Sequence, residues 1–61
     1  MNPLQPIEDT LRWIDRQTRQ AMRAYYRART AKTRARQQAR LRELRARFHL
    51  TTRELGHLIE R

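Results

Sequence analysis

Residues 7–28 read IEDTLRWIDRQTRQAMRAYYRA, and their spacing decides the fold class. Ile7, Leu11, Ile14, Thr18, Ala21, Tyr25 and Ala28 follow alternating steps of four and three. At 100° per residue these positions share one face, the seam of a coiled coil or helical bundle. Arg12, Arg16, Arg19, Arg23 and Arg27 lie on the opposite face. A rise of 1.5 Å per residue makes that arginine stripe about 22 Å long.

Upstream, Met1 to Pro6 form a lead-in. Pro3 and Pro6 bar a helix interior, and Pro6 suits a first turn. Glu8 and Asp9 then fall where carboxylates favour the helix dipole. No Pro or Gly occurs between Ile7 and Leu55, and Ala, Arg, Gln and Leu dominate. The expectation is one helix over about 7–48, continuous or broken near Thr30 to Thr33, where two threonines weaken it.

Downstream, Ala28, Ala31, Ala35 and Ala39 form a small-residue strip that would permit close helix approach. Leu41, Leu44 and Phe48 follow on a rotated face. Leu50-Thr51-Thr52-Arg53-Glu54-Leu55 has the spacing of a helix start, with Thr51 and Glu54 as a capping box and Leu50 and Leu55 as a hydrophobic staple. A short capped helix is therefore expected over 52–60. It would form a hairpin in which Leu55, Leu58 and Ile59 meet Leu41, Leu44 and Phe48.

The whole chain, 1–61, reads as a single small all-α domain, with 51–61 holding the C-terminal element. The N-terminal seam of Ile7, Leu11, Ile14, Ala21, Tyr25 and Ala28 is expected to face a second copy, giving a homodimer. The competing arrangement is a monomeric three-helix bundle with a turn near Thr30 to Thr33. Seven Leu, three Ile and no Val leave little material for a β-sandwich or barrel. Sixty-one residues without cysteine must be stabilised by helix packing or by association.

Charge bears on function. Fifteen basic residues against six acidic give +9, and fourteen of the fifteen are arginine. From Arg16 to Arg42, both included, there are ten basic residues and no acidic one. Such a field attracts polyanions, and arginine forks match phosphate. The expected phosphate contacts are Arg12, Arg16, Arg19, Arg23 and Arg27, extended by Lys32, Arg34, Arg36 and Arg40. Asp15 is the one acid within the stripe, spaced to pair with Arg12, Arg16 or Arg19. Trp13, Tyr25 and Tyr26 are interleaved with arginines. Aromatics at helical spacing are more often core, and Tyr25 lies on the seam; Trp13 and Tyr26 lie off it, which leaves one of them to be exposed and to meet a base. Thr18 to Arg23 also resembles RNA-binding arginine-rich peptides.

Residues 41–59, with Leu41, Leu44, Leu50, Thr51, Glu54, Leu55, Gly56 and Leu58, resemble the first two helices of phage-repressor/Cro-type helix-turn-helix domains. The resemblance implies a DNA-binding fold. It does not extend to a recognition helix, and it departs at His49 and Glu60, where that family carries glycines.

Other classes fit poorly. The apolar runs are too short for a secretory signal or a membrane span. Glu8, Asp9 and Asp15 argue against a mitochondrial presequence, and an alanine-rich apolar face would insert weakly into a membrane surface. His49 and His57 have no supporting acid or thiol set, so no metal, cofactor or catalytic role is expected. The leading expectation is a cytoplasmic, bacterial or phage- or plasmid-encoded regulator or architectural protein that binds DNA in preference to RNA. It would be nucleoid-associated if it binds DNA. The alternative is a helical adaptor or inhibitor that docks on an acidic protein.

Overall fold

The computed structural model describes residues 2–60. Two helices account for most of the chain: α1, Gln5–Arg27, and α2, Ala31–Ile59. Among the described residues there is no strand, and the two helices pack as a hairpin. Neither helix is long and apolar enough to cross a membrane.

α1 begins two residues before Ile7. The Asn2 side chain accepts the Leu4 N–H at 2.9 Å, and its carbonyl accepts the Gln5 N–H at 3.1 Å. Pro6 occupies the first turn, where its missing N–H costs nothing. Gln5 Nε2 donates to Asp9 Oδ1 at 2.9 Å, fastening that turn from the side.

The expected long helix is broken, and the break falls at Ala28–Thr30, at the edge of the threonine pair. Ala28 turns extended, with φ −64° and ψ 129°. Thr30, also extended, then caps α2: its Oγ1 accepts the Thr33 N–H at 3.2 Å. The Thr30 hydroxyl donates onward to Thr33 Oγ1 at 2.9 Å. The threonines therefore start a helix, because their oxygens satisfy an amide that a first turn leaves free. The turn needs no residue in the left-handed region.

No second boundary exists at Thr51. α2 runs through Leu50 to Leu55 without interruption, so the helix expected over 52–60 is the last part of α2. The hydroxyls of Thr51 and Thr52 bond backward instead, to the carbonyls of Arg47 (2.8 Å) and His49 (2.9 Å). A capping threonine would have to accept a forward amide, and in a continuing helix those amides are already used. The stretch that resembles a helix-turn-helix pair is thus part of one continuous helix.

The seam of α1 faces α2 of the same chain rather than a second copy. Arg40 Nη2 donates to Gln17 Oε1 at 3.4 Å across the hairpin, which marks the antiparallel register. Three residues back along α1 and four forward along α2 bring Ile14 level with Leu44. One heptad further brings Ile7 level with Thr51. All four are buried, Leu44 most completely, and Ala21 extends the row toward the turn. Leu41, Leu44 and Phe48 accordingly point toward α1 and not toward Leu55, Leu58 and Ile59. Leu55 is half-buried, while Leu58 and Ile59 are exposed where α2 runs past the start of α1. Leu55, Leu58 and Ile59 could meet Leu41, Leu44 and Phe48 only if the chain reversed at Thr51. Ala31, Ala35 and Ala39 are exposed, on the side of α2 remote from α1.

Candidate nucleic-acid interface

Because the α1 seam turns to α2, the residues half a turn away must face solvent. Arg12, Arg16, Arg19, Arg23 and Arg27 are all exposed on this outer face. The uninterrupted helix holds them in one row, three or four residues apart. Asp15 pairs with Arg19, Nε to Oδ2 at 3.2 Å, with both side chains largely in solvent. Among the described residues the other four arginines form no ion pair within 4.0 Å, the second ion pair being Arg40–Glu43 at 3.7 Å. Asp9 and Asp15 flank a shallow concavity with Arg12 and Arg16, so the acidic end of the row is its N-terminal one. From Arg16 toward Arg27 the field becomes purely positive.

The basic residues of α2 are spread around the helix. Lys32 and Arg36 are exposed, four apart, on the side of the hairpin that carries Trp13. Arg34 is exposed on the other side. Arg40 is different, because it is partly buried and held by Gln17 and Glu43. Its guanidinium also lies 5.8 Å from the centre of the Trp13 ring. Arg47 approaches the same ring at 5.5 Å. The structure therefore makes Arg40 an interhelix clamp, while Lys32, Arg34 and Arg36 remain open to a ligand. Arg47 carries no sign of its contact in the sequence, since 34 residues separate it from Trp13 and only the hairpin register joins them.

Of the three aromatic residues of α1, Tyr26 alone is exposed. Tyr25 is half-buried on the seam. Tyr26 is 76% exposed and stands edge-on to Tyr25, ring centres 5.5 Å apart. It sits at the arginine-rich end of α1 beside Arg27, with a face open for stacking. Trp13 is half-buried, and the two guanidinium groups beside it restrict that use.

The arrangement offers solvated guanidinium groups along one helix. It can bind an extended anion by charge, at a spacing set by the helix. Neither a family model, nor a curated protein, nor a solved structure matches this chain.

Proposed function

We propose that the protein is a small basic nucleic-acid-binding regulator or architectural protein that reads charge and shape rather than sequence. One observation carries this reading: the Arg12–Arg27 row is exposed and largely unpaired on the face turned away from α2. A solvated surface helix ordinarily mixes both signs, which lowers self-repulsion. Here the repulsion is retained, and a polyanion relieves it. Phosphate contacts position a protein on a duplex and carry no base information directly. Low sequence specificity follows where the row spends its guanidinium groups on phosphates.

DNA is the preferred partner. The row is about 22 Å long, similar to some six or seven base pairs of duplex at 3.4 Å each. Binding to DNA would place the protein in the cytoplasm, on the nucleoid, and a bacterial, phage or plasmid setting with a role in transcription regulation is in keeping with this reading. Electrophoretic mobility shift with duplex DNA, single strands and RNA at two salt concentrations tests the proposal. Retardation of duplex that is lost as salt rises supports it; no retardation at low salt refutes it.

The second reading is a helical adaptor or inhibitor for an acidic protein. It draws on the same arginines and on Phe48, which is 45% exposed in an open apolar strip between the helices. Binding to acidic protein with no retardation of any nucleic acid would favour it.

A further inference from the structure

The hairpin is one helix thick. Its principal extents are 47 × 17 × 10 Å and its radius of gyration is 14.4 Å. A compact chain of this length has a radius of gyration of about 10.5 Å. The accessible surface is 5473 Å², against about 4,250 Å² for a compact protein of this mass. The excess, about 1,200 Å², is more than the ~800 Å² each partner contributes to a standard interface. Stable domains pack at least two layers around a core. Here Ile7, Ile14, Ala21 and Leu44 are the only buried apolar side chains among the described residues.

The uncovered surface is not the same on both sides. One face carries Trp13 with Arg40 and Arg47 over it. The other is an open apolar groove in which Leu11 and Met22 of α1 meet Leu41 and Phe48 of α2. Met22 and Phe48 are 43% and 45% exposed. Asp15 stands on the α1 rim of this groove and Arg45 on the α2 rim.

We propose that this groove is covered by the same groove of a second copy, forming a four-helix bundle in which α1 of each protomer lies on α2 of the other. Charge selects that arrangement. A two-fold axis along the helices keeps each level of the hairpin and lays α1 over the partner's α2. Asp15 then faces Arg45 of the partner subunit, twice per dimer. A two-fold axis across the helices would instead stack α1 on α1 and α2 on α2, setting Arg42 and Arg45 of one α2 against the same arginines of the other. The contact surface differs from the α1 seam, which the hairpin already uses, and leaves the Arg12–Arg27 row outside.

Sedimentation equilibrium from 1 to 200 µM protein, at 50 and 300 mM NaCl, tests the proposal. A species of twice 7.5 kDa is expected, and its association strengthens with salt because each chain carries +9. Asp15→Arg and Arg45→Asp should each weaken association about tenfold. Combined in one chain they restore the pairs at unchanged net charge and recover the wild-type constant. General repulsion acting alone would give the reverse for Arg45→Asp, which lowers the positive charge and would then associate more tightly, so tighter association of that variant counts against the pair. Both substitutions are on exposed residues, and circular dichroism checks that the helices persist. A 7.5 kDa monomer at 200 µM with a cooperative melt overturns the proposal and leaves the groove to a different partner. A combined variant no tighter than the weaker single variant overturns the α1-on-α2 arrangement.

Discussion

The Thr51 hydroxyl donates to the Arg47 carbonyl at 2.8 Å, one turn back along the same helix. Thr51 is also buried, level with Ile7 of α1. It is a seam residue in a helix interior. Thr51→Asp distinguishes that role from capping. Aspartate is an equal or better cap than threonine, so a helix start at this site would be maintained or strengthened. In the seam it buries an unpaired carboxylate and should cost at least about 2 kcal/mol. Thr51→Val keeps the shape, removes the backward bond and should lie within about 1 kcal/mol of wild type. Thermal melts followed by circular dichroism decide between the two roles. An increase in melting temperature for Thr51→Asp would restore the boundary.

Thr30 is the cap that Thr51 is not. Its side chain accepts the Thr33 amide, and Thr30→Ala removes that bond at a cost of about 1 kcal/mol. Thr30→Asp should preserve stability, since aspartate caps as well and places a negative charge at the start of a helix whose first turn has no acid. Equal melting temperatures for Thr30→Ala and wild type would mean that the helix start is held by packing alone.

These two threonine pairs show what the sequence carries and what it leaves out. The Thr51/Glu54 spacing is three residues, which fits a capping box and fits the interior of a helix equally well. The deciding fact is whether the amides of the following turn are already used, and that depends on where the chain reverses. Reversal at Ala28–Thr30 has no glycine or proline to mark it, and Thr33 stands where a capping box would carry Glu or Gln. The α1 seam was legible because Ile7, Leu11 and Ile14 set a clear period. Its partner was not, because a second copy and a second helix of the same chain present the same demand for an apolar surface. The α2 side of the seam includes Gln37, Arg40 and Thr51, so no apolar period announces it. Of the candidate site, the α1 row could be read from spacing alone. The capture of Arg40 by Gln17 and Trp13 could not, since it depends on the register between helices.

Ile14 and Leu44 stand level at the centre of the hairpin, 3% and 1% exposed. Replacing either with alanine should cost about 2–5 kcal/mol. A 61-residue chain has roughly 3–9 kcal/mol in total. Each variant should therefore lose most of its cooperative transition at 37 °C, with helix content falling in proportion. The double variant should cost less than the sum of the two, because the pair shares one cavity. Strict additivity, in urea unfolding of the folded fraction, would mean that the two side chains do not meet.

Gly56 lies inside α2, and a Cβ placed on it would meet nothing within 4 Å. Its φ is not positive. Alanine there keeps the conformation and reduces the entropy lost on folding. Gly56→Ala should stabilise the protein by about 0.5–1 kcal/mol. For a domain of this size that is roughly 2–8 °C in melting temperature. A lower melting temperature would mean that another molecule approaches the backbone at this point.

The arginine row makes the sharpest functional prediction. If Arg12, Arg16, Arg19, Arg23 and Arg27 together neutralise about four or five phosphates, log affinity for duplex DNA falls with log salt at a slope near −4. Arg16→Gln should weaken binding by a similar factor on unrelated sequences and make the slope shallower by about one unit. Arg19 is partly satisfied by Asp15 at 3.2 Å, so Arg19→Gln should cost less than Arg16→Gln. Arg40→Gln provides the structural control. Its guanidinium is engaged with Gln17 and Trp13, so this variant should lower the melting temperature and shift the Trp13 emission while leaving the salt slope unchanged. Fluorescence anisotropy of a labelled duplex, titrated at four salt concentrations, gives both quantities. Tight binding to one sequence with a slope near zero would go against a phosphate-reading row. A slope lost with Arg40 rather than with Arg16 would move the contact surface to the Trp13 face of the hairpin.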